Sequence, residues 1–115
     1  MKHPVKECQE KQAEFLSKCP EEEREYHAAL FRIGNASYIY QQLADETSPE
    51  KLELYYYDWL ETLPPNIREG MKKKGFEECM TTVPFTVYVN ERNGIGMDEW
   101  MKKHLSKADY RRYKQ

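Results

Sequence analysis

The run Ser48-Pro49-Glu50-Lys51-Leu52-Glu53-Leu54-Tyr55-Tyr56-Tyr57-Asp58-Trp59-Leu60-Glu61-Thr62-Leu63-Pro64-Pro65 places four aromatic residues among the twelve from Leu52 to Leu63. Its start is marked by Ser48 as helix cap, Pro49 at the first helical position and Glu50 in the first turn. Its end is marked by Pro64-Pro65. Between them Leu52, Tyr55, Tyr56, Trp59, Leu60 and Leu63 fall on one face at three- and four-residue steps. Leu54 and Tyr57 fall off that stripe, so the helix is expected to touch neighbours on two sides.

This run matters because the rest of the chain is so polar. The 115 residues are 33% charged, 39% hydrophobic and 13% aromatic, with a mean hydropathy of -0.98. By average hydropathy such a chain barely folds. Aromatic side chains alter that balance, because each buries roughly 150–250 Å². The length allows one domain, large enough to hold a core without disulfides or metal.

Outward from the aromatic helix, proline and glycine divide the chain into further helices. Val5 to Lys18 is a helix with Val5, Cys8, Phe15, Leu16 and Cys19 on one face. Pro20 ends it and opens the next, whose first turn is Glu21-Glu22-Glu23. Tyr26, Ala29, Leu30, Ile33, Ser37, Tyr40 and Leu43 mark the second stripe, read as one long helix ending near Asp45 despite Gly34-Asn35. After Pro64-Pro65 a short helix runs from Asn66 to Lys74 and stops at Gly75. Residues 76–90 contain a β-branched run, Thr81 to Val89, that suits a strand. Pro84 and the Phe85, Tyr88, Val89 face favour a helix, and no second strand-like run offers a partner. Asn93-Gly94-Ile95-Gly96 is a turn, Met97 to Leu105 a helix, and Ser106 caps a last helix bearing Ala108, Tyr110 and Tyr113. The expectation is a compact all-α orthogonal bundle of about six or seven short helices in one domain. Its core is expected to hold Phe15, Leu30, Ile33, Leu43, Leu52, Tyr56, Trp59, Leu60, Phe85, Trp100 and Leu105.

Most site chemistry finds no support in the sequence. Three Cys without a C-x-x-C pair suggest neither a disulfide framework nor a zinc knuckle. Cys8, Cys19, Cys79, His3, His27 and His104 show no metal-ligand spacing. Gly94-Ile95-Gly96 precedes a helix whose first turn, Asp98 and Glu99, would repel phosphate. No nucleophile motif surrounds Cys79 or His104. The expectation is a chain without catalysis and without a cofactor, metal or small-molecule substrate. Met1 to Glu7 shows no secretory apolar run, and no stretch reaches the roughly 20 apolar residues of a membrane span. A cytoplasmic location follows as an expectation.

Two features point to partners. The nine Tyr are too many to be fully buried in so small a domain, and exposed tyrosines favour protein interfaces. Tyr38 and Tyr57 are the candidates for an exposed contact. The alternative rests on charge. Residues 101–115 hold six Lys/Arg against one Asp in a chain of net charge -2. Lys102, Lys103, Lys107, Arg111, Arg112 and Lys114, interleaved with Tyr110 and Tyr113, suit phosphate contact with base stacking. The leading expectation is a small protein-interaction module or self-associating chain acting through an aromatic surface. The runner-up is a nucleic-acid-binding accessory protein.

Overall fold

The computed structural model describes the backbone from Val5 and the side chains from Glu7 to Gln115. Val5 of the first stripe, His3 of the weighed metal set and the Met1–Lys6 stretch read for a leader lie outside the described side chains. Eight α-helices follow in order: α1 Val5–Lys18, α2 Glu21–Gln42, α3 Pro49–Glu61, α4 Pro65–Lys74, α5 Phe76–Cys79, α6 Val83–Arg92, α7 Met97–His104 and α8 Lys107–Tyr113. A 3-10 turn, Leu43–Glu46, extends α2. The described residues contain no strand, and residues 83–92 form α6.

The boundaries follow local chemistry. Ser48 Oγ accepts from Lys51 N at 3.4 Å, and Pro49 occupies the first helical position. Pro65 holds the same position in α4, and Pro84 is the second residue of α6, still within the first turn where its missing N–H is harmless. Gly75 ends α4 at φ 86°, in the left-handed region where a Cβ would be strained. Gly34-Asn35 leaves α2 unbroken over 22 residues.

Two corners share one construction. At Pro20, Arg24 of α2 reaches back over the end of α1, donating Nε to Leu16 O and Nη2 to Cys19 O, both at 2.9 Å. At Pro64, Arg68 of α4 donates Nε to Leu60 O at 2.9 Å and Nη2 to Leu63 O at 3.0 Å, over the end of α3. Each guanidinium adds a donor to the last carbonyls of a helix, where the regular ladder ends; Leu16 O and Leu60 O also accept from Cys19 N and Leu63 N. The spacing is the same in both: Leu16, Cys19, Pro20, Arg24 and Leu60, Leu63, Pro64, Arg68.

The core lies between α3 and α6, closed by α5 and the 3-10 turn. Tyr55, Tyr56, Trp59, Leu60, Cys79, Phe85, Val89 and Ala44 are buried together. Phe85 is its hub: its ring lies 5.0 Å from Trp59, 5.9 Å from Tyr56 and 6.2 Å from Phe76. Such aromatic pairs add about 0.5–1.5 kcal/mol each beyond their buried area. Arg92 ties α6 to α3 from outside, over the Tyr55 ring at 4.5 Å and on Asp58 Oδ2 at 2.9 Å.

A polar clasp joins this core to α2. Asn90 is fully buried on α6 and donates Nδ2 to Tyr40 O at 2.7 Å. Tyr40, fully buried, donates its hydroxyl to Ile95 O at 2.6 Å and lies against Trp100. Burial pushes the Tyr40 hydroxyl up to about 12, with Glu91 adding to it. Asn90 Oδ1 has no partner among the described residues.

The expected compact shape needs correction. The radius of gyration is 16.8 Å and the extents are 48 × 28 × 26 Å, against about 13 Å for a compact chain of this length. The expected core is corrected with it. Tyr56, Trp59, Leu60 and Phe85 are buried, whereas Phe15 is 46% and Leu30 43% exposed. Ile33, Leu43, Leu52, Trp100 and Leu105 are half-buried. Only the C-terminal part of α2 meets α6 and α7. Helix α1 packs on α2, through the reciprocal Gln12–Asn35 amide pair at 3.0 and 3.1 Å and the Phe15–Phe31 ring contact. Among the described residues no third layer covers Phe15 or Leu30.

Candidate functional site

The exposed aromatic candidate, Tyr57, stands at the rim of a groove between α3 and α5. The helical repeat that turns Tyr56 inward leaves Tyr57 about 100° around the axis, and Tyr57 is 58% exposed. The groove has a volume of ≈ 520 Å³ and is lined by Pro49, Leu52, Glu53, Tyr56, Tyr57 and Phe76. Its aromatic wall runs edge to face, Tyr57 to Tyr56 at 5.3 Å and Tyr56 to Phe76 at 5.6 Å. Burial raises the Tyr56 hydroxyl above its ordinary value. The one ionisable carboxylate in the wall is Glu53. The same stretch adds exposed Asp45, Glu46 and Glu50, with Lys51 as its single cation.

Tyr38 does not join Tyr57. It is half-buried on α2, its hydroxyl accepts from Gln42 Nε2 at 3.1 Å, and it lines a separate groove with Cys8, Gln12, Phe31 and Ile39. The expectation of an exposed Tyr38 is corrected: α1 lies over that side of α2.

The basic residues divide into three groups. Lys102, Lys107, Arg111 and Lys114 surround a concavity of ≈ 550 Å³ with Tyr110 in its wall. Lys103 lines a different hollow with Glu99, Trp100 and the 94–96 turn. Arg112 points to the opposite side of α8, over the Tyr26 ring at 5.4 Å. That opposite side docks α8 on α2. Arg32 donates Nε to Asp109 Oδ2 at 2.6 Å and Nη2 to Asp109 Oδ1 at 3.0 Å, and also binds Glu25 at 2.6 Å. The Arg32 bonds hold the Asp109 carboxyl below the usual carboxylate range, and Asp109 with Glu25 raises Arg32. Of the residues around the concavity, Lys114 donates Nζ to Asp98 Oδ1 at 2.8 Å and Tyr110 donates its hydroxyl to the same oxygen at 2.9 Å. These bonds lower Asp98 and raise Lys114 and Tyr110.

The groups weighed for nucleophilic chemistry lie apart. Cys79 is buried in the aromatic core with its thiol on Met71 O at 3.7 Å, and burial raises that thiol. His104 is exposed on α7 and stacks on Trp100 at 3.9 Å. Among the described residues no group of three or more His, Cys, Asp or Glu gathers as a metal site requires, and no helix is long and apolar enough to cross a membrane.

Compared with protein-family models, curated proteins and solved structures, the chain matches none. Two residues of these surfaces carried no sequence signal. Phe76 reaches the groove only through the Gly75 turn. Asp98, whose place in the first turn of α7 pointed to repulsion of phosphate, also neutralises Lys114 sixteen residues away.

Proposed function

We propose that the chain is a non-catalytic cytoplasmic interaction module whose α3–α5 groove receives an apolar segment of a partner protein. The observation that supports this reading is Tyr57: a large side chain, 58% exposed, beside an aromatic wall that is otherwise buried or half-buried. Rigid aromatic surface of this kind lowers the entropy lost on docking. Glu53 and its acidic surroundings favour a segment that carries a basic residue next to its apolar one.

The test compares wild type with Tyr57→Ala as bait in a pull-down from the native host, with nuclease present. Tyr57 contributes little to the core, so the variant is expected to keep its melting temperature. A stoichiometric protein held by wild type and lost from Tyr57→Ala supports the groove. A partner held equally by both refutes it. A large fall in melting temperature would show that Tyr57 belongs to the core instead.

A further inference from the structure

We infer that the concavity between α7 and α8 binds the phosphate backbone of single-stranded nucleic acid. Helix α8 has two chemically distinct sides. Asp109 and Arg112 face α2, where they meet Arg32 and Tyr26. Lys107, Tyr110, Arg111 and Lys114 face the concavity, which Lys102 of α7 completes. Among the described residues, Lys102, Lys107 and Arg111 take part in no ion pair, and all three are exposed. Lys107 and Arg111 stand at this hollow with no carboxylate partner among those residues, and Lys102 makes no ion pair although Asp98, one turn before it, shares its field; like charges gathered in this way favour an anion between them. Lys114 differs, because Asp98 already neutralises it.

The shape selects the ligand. A duplex is read by an element that protrudes into a groove, and here the cations line a depression. A lipid surface asks for a flat basic face with apolar residues beside it. A single strand fits a cationic hollow with an aromatic ring in its wall, on which a base can stack. Asp98 holds the Tyr110 hydroxyl and so restrains that ring.

The experiment measures anisotropy of a labelled twelve-nucleotide oligouridylate with the full chain between 50 and 200 mM salt. Neutralising Z phosphates on a single strand gives a log–log slope of about -0.7Z, so three free cations predict a slope of about -2 and a loss of about 20-fold over that range. Lys102→Gln, Lys107→Gln and Arg111→Gln combined is expected to remove binding, whereas Lys103→Gln with Arg112→Gln leaves it in place. Asp98→Asn, which releases Lys114, is expected to strengthen binding and steepen the slope by about 0.7. Circular dichroism and the melting temperature confirm that each variant is folded. No binding at 50 mM salt overturns the inference, as does equal binding by the triple variant. Equal or tighter binding of a duplex of the same length overturns the assignment to single strands. Binding to vesicles of anionic lipid without binding to the oligonucleotide overturns it in favour of a membrane surface.

Discussion

Trp59 and Phe15 are both large aromatic residues on the apolar stripe of a helix, yet Trp59 is 5% exposed and Phe15 46%. The difference is the number of helices around each. Helix α3 meets α6, α4 and the aromatic hub at Phe85, so its stripe is covered on two sides. Helix α1 meets α2, and a two-helix hairpin covers the seam between its members and no more. The hairpin is therefore held by a few contacts across that seam: the Gln12–Asn35 pair, Arg24 over the end of α1, and the Phe15–Phe31 ring contact. Amphipathic pattern is necessary for burial, and a third layer is what completes it.

Trp59→Ala should mark the strong side of this comparison, with a loss of about 3–5 kcal/mol in chemical denaturation. A loss below about 1 kcal/mol would show that the α3–α6 core is not what holds the chain. The clasp between the two regions comes next. Asn90→Ala removes one of the donors to Tyr40 O, which keeps its bond from Leu43 N, and empties a fully buried site; together these cost about 1–3 kcal/mol. Hydrogen exchange should then show α2 amides opening before those of α3.

The docking of α8 on α2 has a pH signature. Asp109 is held below its usual range by Arg32, so its contribution is complete above the unfolded carboxylate value of about 3.9 and lost as pH falls through the lower folded value. Asp109→Asn should cost about 1–2 kcal/mol at neutral pH, and the melting temperatures of variant and wild type should begin to approach each other only below the unfolded carboxylate value and converge once pH has fallen through the lower folded value. A gap that persists in acid would assign the effect to packing. The smallest effect is expected at Phe15→Ala, about 1 kcal/mol, from its edge contacts with His27 and Phe31. A loss as large as that at Trp59 would erase the distinction between the two regions.

The elements were legible because their signals are local. Pro20, Pro49, Pro65 and Pro84, the Ser48 and Ser106 caps, and Gly75 each act within one turn of chain, and α1 and the start of α3 fall where they place them. The eight helices slightly exceed the expected six or seven because the short α5 hides between Gly75 and the Thr81-Thr82 turn. What lay beyond local reading was which apolar face meets a partner. Leu30 and Tyr40 share a stripe on α2, and only the position of α6 and α7 decides that one is exposed and the other buried. Asn90, a polar residue beside Val89, gives no sign in the sequence that it will clasp Tyr40. The basic face of α8 was visible from its spacing. The subtraction of Arg112 by Tyr26 and of Lys114 by Asp98 was not, since both partners are distant in the chain.

The two arginine-closed corners carry a consequence for chain design. Leu-x-x-apolar-Pro-x-x-x-Arg occurs at 16–24 and again at 60–68, in different surroundings and with the same donor–acceptor geometry. A device that works identically in the exposed hairpin and beside the aromatic core does not depend on either. It is a nine-residue unit that turns one helix into the next at both places. Lysine would not serve in it, because a single ammonium cannot span two carbonyls with the fixed fork of a guanidinium.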